Sequence, residues 1–209
     1  MMAKDKSIAI IDYNISNMFS IENALKSIGF KTKITSDHKT ILSSDGAVLP
    51  GVGSFPEAMK NINKLNLDQT ISDFISTGKP FLGICLGFQL LFEESDEIID
   101  TKGLGIIKGQ VKSFSSLDKN LRIPHVGWNK VNKINDKNSM NIIKNENYFY
   151  FVHSNFVEPA NDKLVYSKSE YEGFEFCSSI TKDNVFACQF HPEKSGKQGI
   201  KILDEIFNI

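Results

Sequence analysis

Cysteine is scarce. Cys85, Cys177 and Cys188 are the only three among 209 residues, an odd number in a chain of this size that does not look like a disulfide framework. Three cysteines and four histidines without a Cys-x-x-Cys spacing give no ground for a zinc site, so no metal and no cofactor is expected. Neither charge sign is in excess: the formal net charge is −1, which removes the electrostatic case for nucleic acid or a membrane surface. No apolar run approaches the roughly 20 residues of a transmembrane helix, and the N-terminus lacks a signal-peptide pattern. A reducing cytoplasm is the expected setting. Repeats and linkers are also missing, so residues 1–209 are expected to form one domain, a length that suits a single well-buried α/β unit.

What the chain does have is alternation of strand and helix signals through its first half. Ser7–Asp12, Ala47–Leu49 and Phe81–Ile84 are short apolar runs of the kind that form buried parallel strands, and Phe30–Thr35 alternates like a strand nearer an edge. Between them, Phe19–Ile28, Pro56–Leu65 and Leu67–Thr77 read as helices, with Phe19, Ala24, Leu25 and Ile28 as the inner face of the first. Leu86–Phe92 reads as a fourth. This pattern predicts an α/β fold with a parallel sheet and helices on both faces. Beyond residue 100, Gly103–Phe114, Leu121–Lys133, Tyr148–Phe156, Lys163–Lys168 and Phe174–Ile180 are short and strand-like, predicting an antiparallel extension. Asn132–Asn147 is polar and predicted to be a surface excursion; Val185–Phe190 is one more buried strand, and Gly199–Phe207 a closing helix.

Cys85 stands where a strand meets a helix, with Gly83 two places before it and Gly87 two after. Small neighbours let the chain turn sharply and present the side chain at the strand's end, the geometry of a nucleophile elbow. The helix that follows brings unpaired N–H groups to the same place, which favour negative charge. A free cysteine is more often a small buried hydrophobe, so the reading needs a base. Gln189-Phe190-His191-Pro192-Glu193 supplies one at the end of another apolar strand. In extended chain His191 and Glu193 face the same way, so Glu193 can orient the imidazole toward Cys85. The third part is Pro50-Gly51-Val52-Gly53-Ser54-Phe55. Gly51 and Gly53 permit backbone conformations closed to other residues, so an N–H can point at a developing oxyanion, with the Leu86 N–H as the second donor. Three histidines have blander readings: His38 in a surface turn, His125 and His153 as structural residues among strands.

Gly-Ile-Cys-Leu-Gly-Phe-Gln together with Gln-Phe-His-Pro-Glu resembles the class I, triad-type glutamine amidotransferases. Ile-Asp-Tyr at 11–13, Pro-Gly-Val-Gly-Ser-Phe at 50–55, Pro-His-Val-Gly-Trp-Asn at 124–129, Tyr-Phe-Val-His-Ser at 150–154 and His-Pro-Glu-Lys-Ser-Gly at 191–196 are similar, in the same order, to the glutaminase subunits of imidazole glycerol phosphate synthases. The resemblance implies a three-layer, flavodoxin-like fold with a mostly parallel central sheet. It implies that Cys85, with His191 and Glu193, converts glutamine to glutamate and ammonia through a thioester. The ammonia would pass to a (β/α)₈ cyclase subunit that makes imidazole glycerol phosphate and an aminoimidazole-carboxamide ribonucleotide. By the same resemblance Gly51, Gln89, Glu97, Ser154 and Asn155 hold glutamine, and Trp128, Asn129, Tyr150 and Lys194 face the cyclase. Val52 would complete the oxyanion hole with Gly53 and Leu86 only after its peptide reorients on partner binding.

The chain departs from the family at Asn14-Ile15-Ser16-Asn17, where glycines are usual. Asn14 tolerates left-handed φ; Ser16 is harder to reconcile. Two other readings stay open on the sequence: a paralogue feeding ammonia to another acceptor, such as a sugar-modifying synthetase, and a non-catalytic binding protein on the same fold.

Overall fold

A computed structural model describes residues 4–14, 18–117, 121–134 and 147–208. In chain order the first half runs β1 (Ser7–Ile11), α1 (Met18–Ser27), β2 (Lys31–Thr35), α2 (His38–Ser43), β3 (Gly46–Leu49), α3 (Phe55–Lys64), α4 (Leu67–Ser76), β4 (Phe81–Ile84) and α5 (Leu86–Gln89). The second half runs β5 (Glu94–Ser95), β6 (Thr101–Lys102), β7 (Gly109–Ser113), β8 (His125–Lys133), β9 (Asn147–His153), β10 (Asn155–Pro159), β11 (Val165–Tyr171), β12 (Phe174–Lys182), β13 (Val185–Cys188) and α6 (Gly196–Phe207).

The apolar runs form a parallel centre in the order β2-β1-β3-β4-β13. With β13 as the fifth strand this is the flavodoxin-like winding, in which sites gather at the carboxyl ends of the strands. Beyond β13 the sheet continues through β12, β10 and β7, each antiparallel to its neighbour, and then reaches the short strands β5 and β6. On a flank, β11 joins β12 to β8, and β8 pairs with β9. The antiparallel extension expected from the second half is therefore part of the same sheet.

Three layers follow from the period-2 alternation of strand side chains. Ile8, Ile10, Val48, Leu82 and Ile84 pack on one face with Ile21 and Leu25 of α1 and Ile202, Leu203 and Ile206 of α6. Ala9, Ile11, Ala47, Leu49 and Phe81 pack on the other with Ile41, Phe55, Met59, Ile62, Ile71 and Phe74 of α2, α3 and α4. Each large apolar side chain removed from water contributes about 1.5–3 kcal/mol.

Several predicted elements shift. Phe19 is 70% exposed, and Ile21 takes the inner position on α1. That helix begins one residue earlier, and its buried stripe runs through Ile21, Ala24 and Leu25, the latter two lying three and four residues beyond Ile21 on one face. The helix expected over Leu86–Phe92 stops at Gln89, because the carbonyls of Leu90, Leu91 and Phe92 accept from the N–H groups of Leu104, Ile107 and Gly105. The same pairing keeps 103–108 out of strand structure, leaving only Gly109–Ser113 of the predicted Gly103–Phe114. The run Tyr148–Phe156 breaks at Ser154 into β9 and β10. Helix α2 lies in a stretch read as a turn; Asp37 caps it by accepting from the Thr40 N–H. Of the predicted excursion Asn132–Asn147, residues 132–133 complete β8 and residue 147 opens β9; 135–146 lie outside the described residues. Asn14 has φ +65°, as its tolerance for left-handed backbone allows. Ser16 lies outside the described residues.

Candidate active site

Four loops at the carboxyl ends of β1, β3, β4 and β13 converge. Cys85 follows β4 with φ +54° and ψ −109°, a conformation that costs a non-glycine residue on the order of 1–3 kcal/mol and persists where the surroundings enforce it. The enforcement is visible in the glycines. A Cβ on Gly87 would sit 1.8 Å from the Leu49 carbonyl oxygen, so only glycine lets the start of α5 close onto β3. A Cβ on Gly83 would meet the Gly87 carbonyl oxygen at 3.1 Å. The Cys85 N–H donates to the Cys188 carbonyl at 2.8 Å, which ties the elbow to β13.

His191 leaves the end of β13. Its Nδ1 lies 2.7 Å from Glu193 Oε1, with both side chains buried. The two residues do not meet through an extended backbone, as the sequence suggested; Pro192–Lys194 is a 3₁₀ turn that brings the carboxylate back to the ring. The backbone of His191 is anchored on both sides: its N–H donates to the Tyr150 carbonyl, and Ser195 Oγ donates to its carbonyl. Burial works against a charged His191, but the negative charge and hydrogen bonding of Cys85, together with Glu193, raise its pKa to about 10. Its Nε2 is buried, and the charge of Cys85 is the largest influence that raises the pKa. A protonated imidazole beside the sulfur and backed by a carboxylate can donate a proton to a leaving group and recover it from water.

The loop after β3 presents a different picture from a finished oxyanion hole. The Leu86 N–H donates to the Gly51 carbonyl at 3.4 Å. In a trans peptide the N–H points opposite to the C=O, so the Val52 N–H is turned away from Leu86. Gly53 has φ +105° and needs glycine for that reason. Gly51 needs it for space instead: a Cβ there would lie 2.3 Å from the Tyr13 hydroxyl. Tyr13 is buried and donates to the Pro50 carbonyl at 2.7 Å, and burial with the nearby Cys85 charge pushes its phenol pKa up, so it stays a donor.

Val52, Gly53, Cys85, Leu86, Gln89, Glu97, Ser154 and Asn155 line one cleft with Pro124, Val152 and His153. Its volume of about 270 Å³ falls below the roughly 300 Å³ at which drug-sized sites begin, which suits an amino acid better than a nucleotide. Gln89 Nε2 donates to the Asn155 carbonyl and to Gln189 Oε1. Gln189 Nε2 in turn donates to Cys85 Sγ at 3.6 Å. Glu97 accepts from the Phe55 N–H at 2.6 Å, so its carboxylate also closes the start of α3.

The residues expected at a partner surface divide. Trp128 is 57% exposed and packs edge-on to Tyr150, with the Lys194 ammonium over the Tyr150 ring. Asn129 points inward from the opposite face of β8, its amide donating to the Glu170 carbonyl and to His125 Nε2. Two contributors escaped the sequence reading: Tyr13, whose hydroxyl supports the loop, and Gln189, which touches the sulfur. A carboxamide at the end of an otherwise apolar strand was the available signal for Gln189.

A glutamine amidotransferase class-I family model matches residues 9–208. The chain is 50% identical to the imidazole glycerol phosphate synthase subunit HisH of Caldanaerobacter subterraneus subsp. tengcongensis, over 94% of this chain and 95% of that protein. It is also 50% identical to the protein of the same name from Methanocaldococcus jannaschii, over 97% and 99% of the two chains. The HisH 1 protein of Methanococcus maripaludis is 47% identical over 97% and 99%. Among solved structures, PurLQS from Thermotoga maritima superposes with a TM-score of 0.77 at 20% identity, covering 98% of this chain and 99% of that one. At that identity the likeness speaks for the fold alone.

Proposed function

The chain belongs to the class-I glutamine amidotransferase family, and on that premise we propose that it serves as the glutaminase subunit of an imidazole glycerol phosphate synthase in histidine biosynthesis. The observation that carries the chemistry is the meeting of Cys85, His191 and Glu193 beside a cleft of amino-acid size. The shared name of relatives about 50% identical over nearly the whole chain favours this role over a paralogue serving another acceptor. The intact triad disfavours a protein that has lost catalysis. Residues 1–209 form a single glutamine amidotransferase domain in this reading, and the protein works in the cytoplasm. No helix among the described residues is long and apolar enough to cross a membrane.

In the proposed reaction Cys85 Sγ, as thiolate, attacks the side-chain carboxamide carbon of glutamine. The tetrahedral intermediate collapses as protonated His191 gives its proton to the departing nitrogen, releasing ammonia and leaving a γ-glutamyl thioester. His191, now neutral and held by Glu193, takes a proton from water, which attacks the thioester; glutamate leaves and the thiolate returns. Gln89, Ser154, Asn155 and Glu97 hold the substrate. Gly51 keeps its loop close against Tyr13 and Leu86.

Val52, Gly53 and Leu86 form the oxyanion hole in this reading, but only after the Gly51–Val52 peptide turns over. The Gly51 carbonyl that now faces Leu86 supports such a gate. A missing oxyanion donor typically costs ~10²–10³ in rate, enough to suppress wasted hydrolysis. The partner is a (β/α)₈ cyclase subunit that seats on the surface bearing Trp128, Tyr150 and Lys194, with Asn129 bracing β8 from behind. Binding of that subunit and its nucleotide releases the gate, and ammonia passes across the interface.

Combining the chain with the cyclase subunit and the nucleotide substrate tests the proposal. Glutamine is expected to replace ammonium salts as nitrogen donor, and Cys85→Ala to abolish that replacement while leaving the ammonium-dependent reaction intact. Failure of glutamine to substitute would transfer the assignment to the paralogue.

A further inference from the structure

Two histidines outside the triad form a buried pair. His125 on β8 and His153 on β9 are directly opposed across the ladder, and His125 Nδ1 lies 2.9 Å from His153 Nε2. His153 Nδ1 lies 2.7 Å from the Asn155 carbonyl oxygen. A carbonyl only accepts, so His153 carries its proton on Nδ1. Burial depresses both imidazole pKa values, to about 4 for His125 and about 3 for His153, so both rings are neutral. Neutral His153 therefore accepts at Nε2, and His125 must donate from Nδ1. That leaves His125 Nε2 as an acceptor, matched by the Asn129 amide at 3.2 Å. Every assignment along the row is forced by its neighbours.

The row does not end at Asn155. The same carbonyl accepts from Gln89 Nε2 at 3.2 Å, and Gln89 reaches Cys85 Sγ through Gln189. Packing holds the rings in place: His125 lies between Phe151 and Tyr171, stacked on both, and His153 contacts Phe114 and Phe176. We propose that the His125–His153 pair is a positioning device, which sets the Asn155 carbonyl and through it the Gln89 carboxamide in the substrate cleft. It also ties β8, the strand that carries Trp128, to that cleft. His153 borders the cleft, but the hydrogen bonds of the two rings go to each other, to Asn129 and to Asn155, so the pair acts through its neighbours. The proposal rests on the glutaminase reading for its effect on turnover, though not for the proton arrangement.

Two substitutions separate positioning from bulk support. His153→Asn keeps an N–H donor near the Nδ1 position, whereas His153→Phe keeps the ring and loses the donor. Measured in the complex with the cyclase subunit and its nucleotide, His153→Phe is expected to raise KM for glutamine about tenfold, the scale of a lost buried hydrogen bond. Its kcat should stay within about threefold, and His153→Asn should restore KM to within about threefold of the unmodified chain. Equal KM in all three proteins, or loss of kcat with KM unchanged, would overturn the proposal. Imidazole ¹⁵N shifts of the full chain give a readout that needs no turnover. Protons on Nδ1 of both rings are expected, and an Nε2 proton on either ring would overturn the arrangement. If the unmodified complex forms no glutamate, the glutaminase reading fails by itself and the ¹⁵N pattern still decides the pair.

Discussion

The carbonyl of Gly51 faces the N–H of Leu86 at 3.4 Å, filling with an acceptor the place where a developing oxyanion needs a donor. His191 and Glu193 are assembled beside Cys85, and in the proposed reaction they act as base and orienting carboxylate while the chain's own backbone closes the pocket for the transition state. On the proposed function, electrostatic stabilisation at this site waits for the Gly51–Val52 peptide to turn.

Strain at the elbow is separable from chemistry. Cys85→Gly and Cys85→Ala both lack the thiol, but only glycine adopts φ +54° with ψ −109° without cost. Glycine ordinarily destabilises relative to alanine by roughly 0.5–1 kcal/mol. Here the order is expected to reverse by about 1 kcal/mol, a gain of roughly 2–4 °C for a domain of this size. Paired thermal unfolding of the two variants checks it.

Gly87→Ala is expected to be severe. Its Cβ would lie 1.8 Å from the Leu49 carbonyl oxygen, so α5 must move away from β3 and carry Cys85 with it. Stability should drop by more than about 2 kcal/mol, and glutamine hydrolysis in the complex should fall at least tenfold. Denaturant unfolding beside a rate measurement reports both.

The protonation of His191 follows its neighbours. Its raised pKa, about 10, reflects Cys85 and Glu193 acting against burial. Removing the sulfur in Cys85→Ala should lower that pKa, leaving burial less opposed, as an NMR titration of the imidazole would show. Glu193→Gln should lower it as well and reduce kcat by roughly 10²–10⁴-fold, since the ring loses both its orienting partner and its charge support.

Acid stability depends on the other pair. His125 and His153 have folded pKa values depressed to about 4 and about 3, below the ordinary value near 6.5. Their contribution is present in full above about pH 6.5 and is lost as pH falls toward the folded values. Each ring left neutral in the fold contributes a slope of about 1.4 kcal/mol per pH unit in that window. His191 has the opposite sign: its contribution is complete below about pH 6.5 and lost as pH rises toward 10, so it does not oppose the acid slope. Urea unfolding between pH 7 and pH 5 should show a shallower fall for His153→Phe than for the unmodified chain.

The parallel centre was readable from the sequence because Ser7–Ile11 and Phe81–Ile84 are apolar on both faces, and few other elements of that length tolerate such a run. The meeting of Cys85 with His191 and Glu193 was readable because Gly83, Gly87 and Pro192 mark backbone geometry. Local pattern could not reveal where α5 ends. The carbonyls of Leu90 and Phe92 are claimed by residues more than ten positions onward, a tertiary competition that helix periodicity does not register. The role of Gly51 was misjudged for a similar reason: it needs space beside Tyr13, a residue near β1 that only the fold brings there. Asn129 and Trp128 are neighbours in sequence yet point to opposite faces of β8, which a shared motif obscured.

The most direct measurement is the rate of glutamate release from glutamine by the chain alone, by the chain with the cyclase subunit, and by that pair with the nucleotide bound. The isolated chain is expected to run ~10²–10³ below the full complex, with Cys85→Ala inactive throughout. Full activity without the partner would contradict the closed Gly51–Val52 peptide as a gate, and absence of glutamate from the complete assembly would contradict glutamine hydrolysis at Cys85 itself.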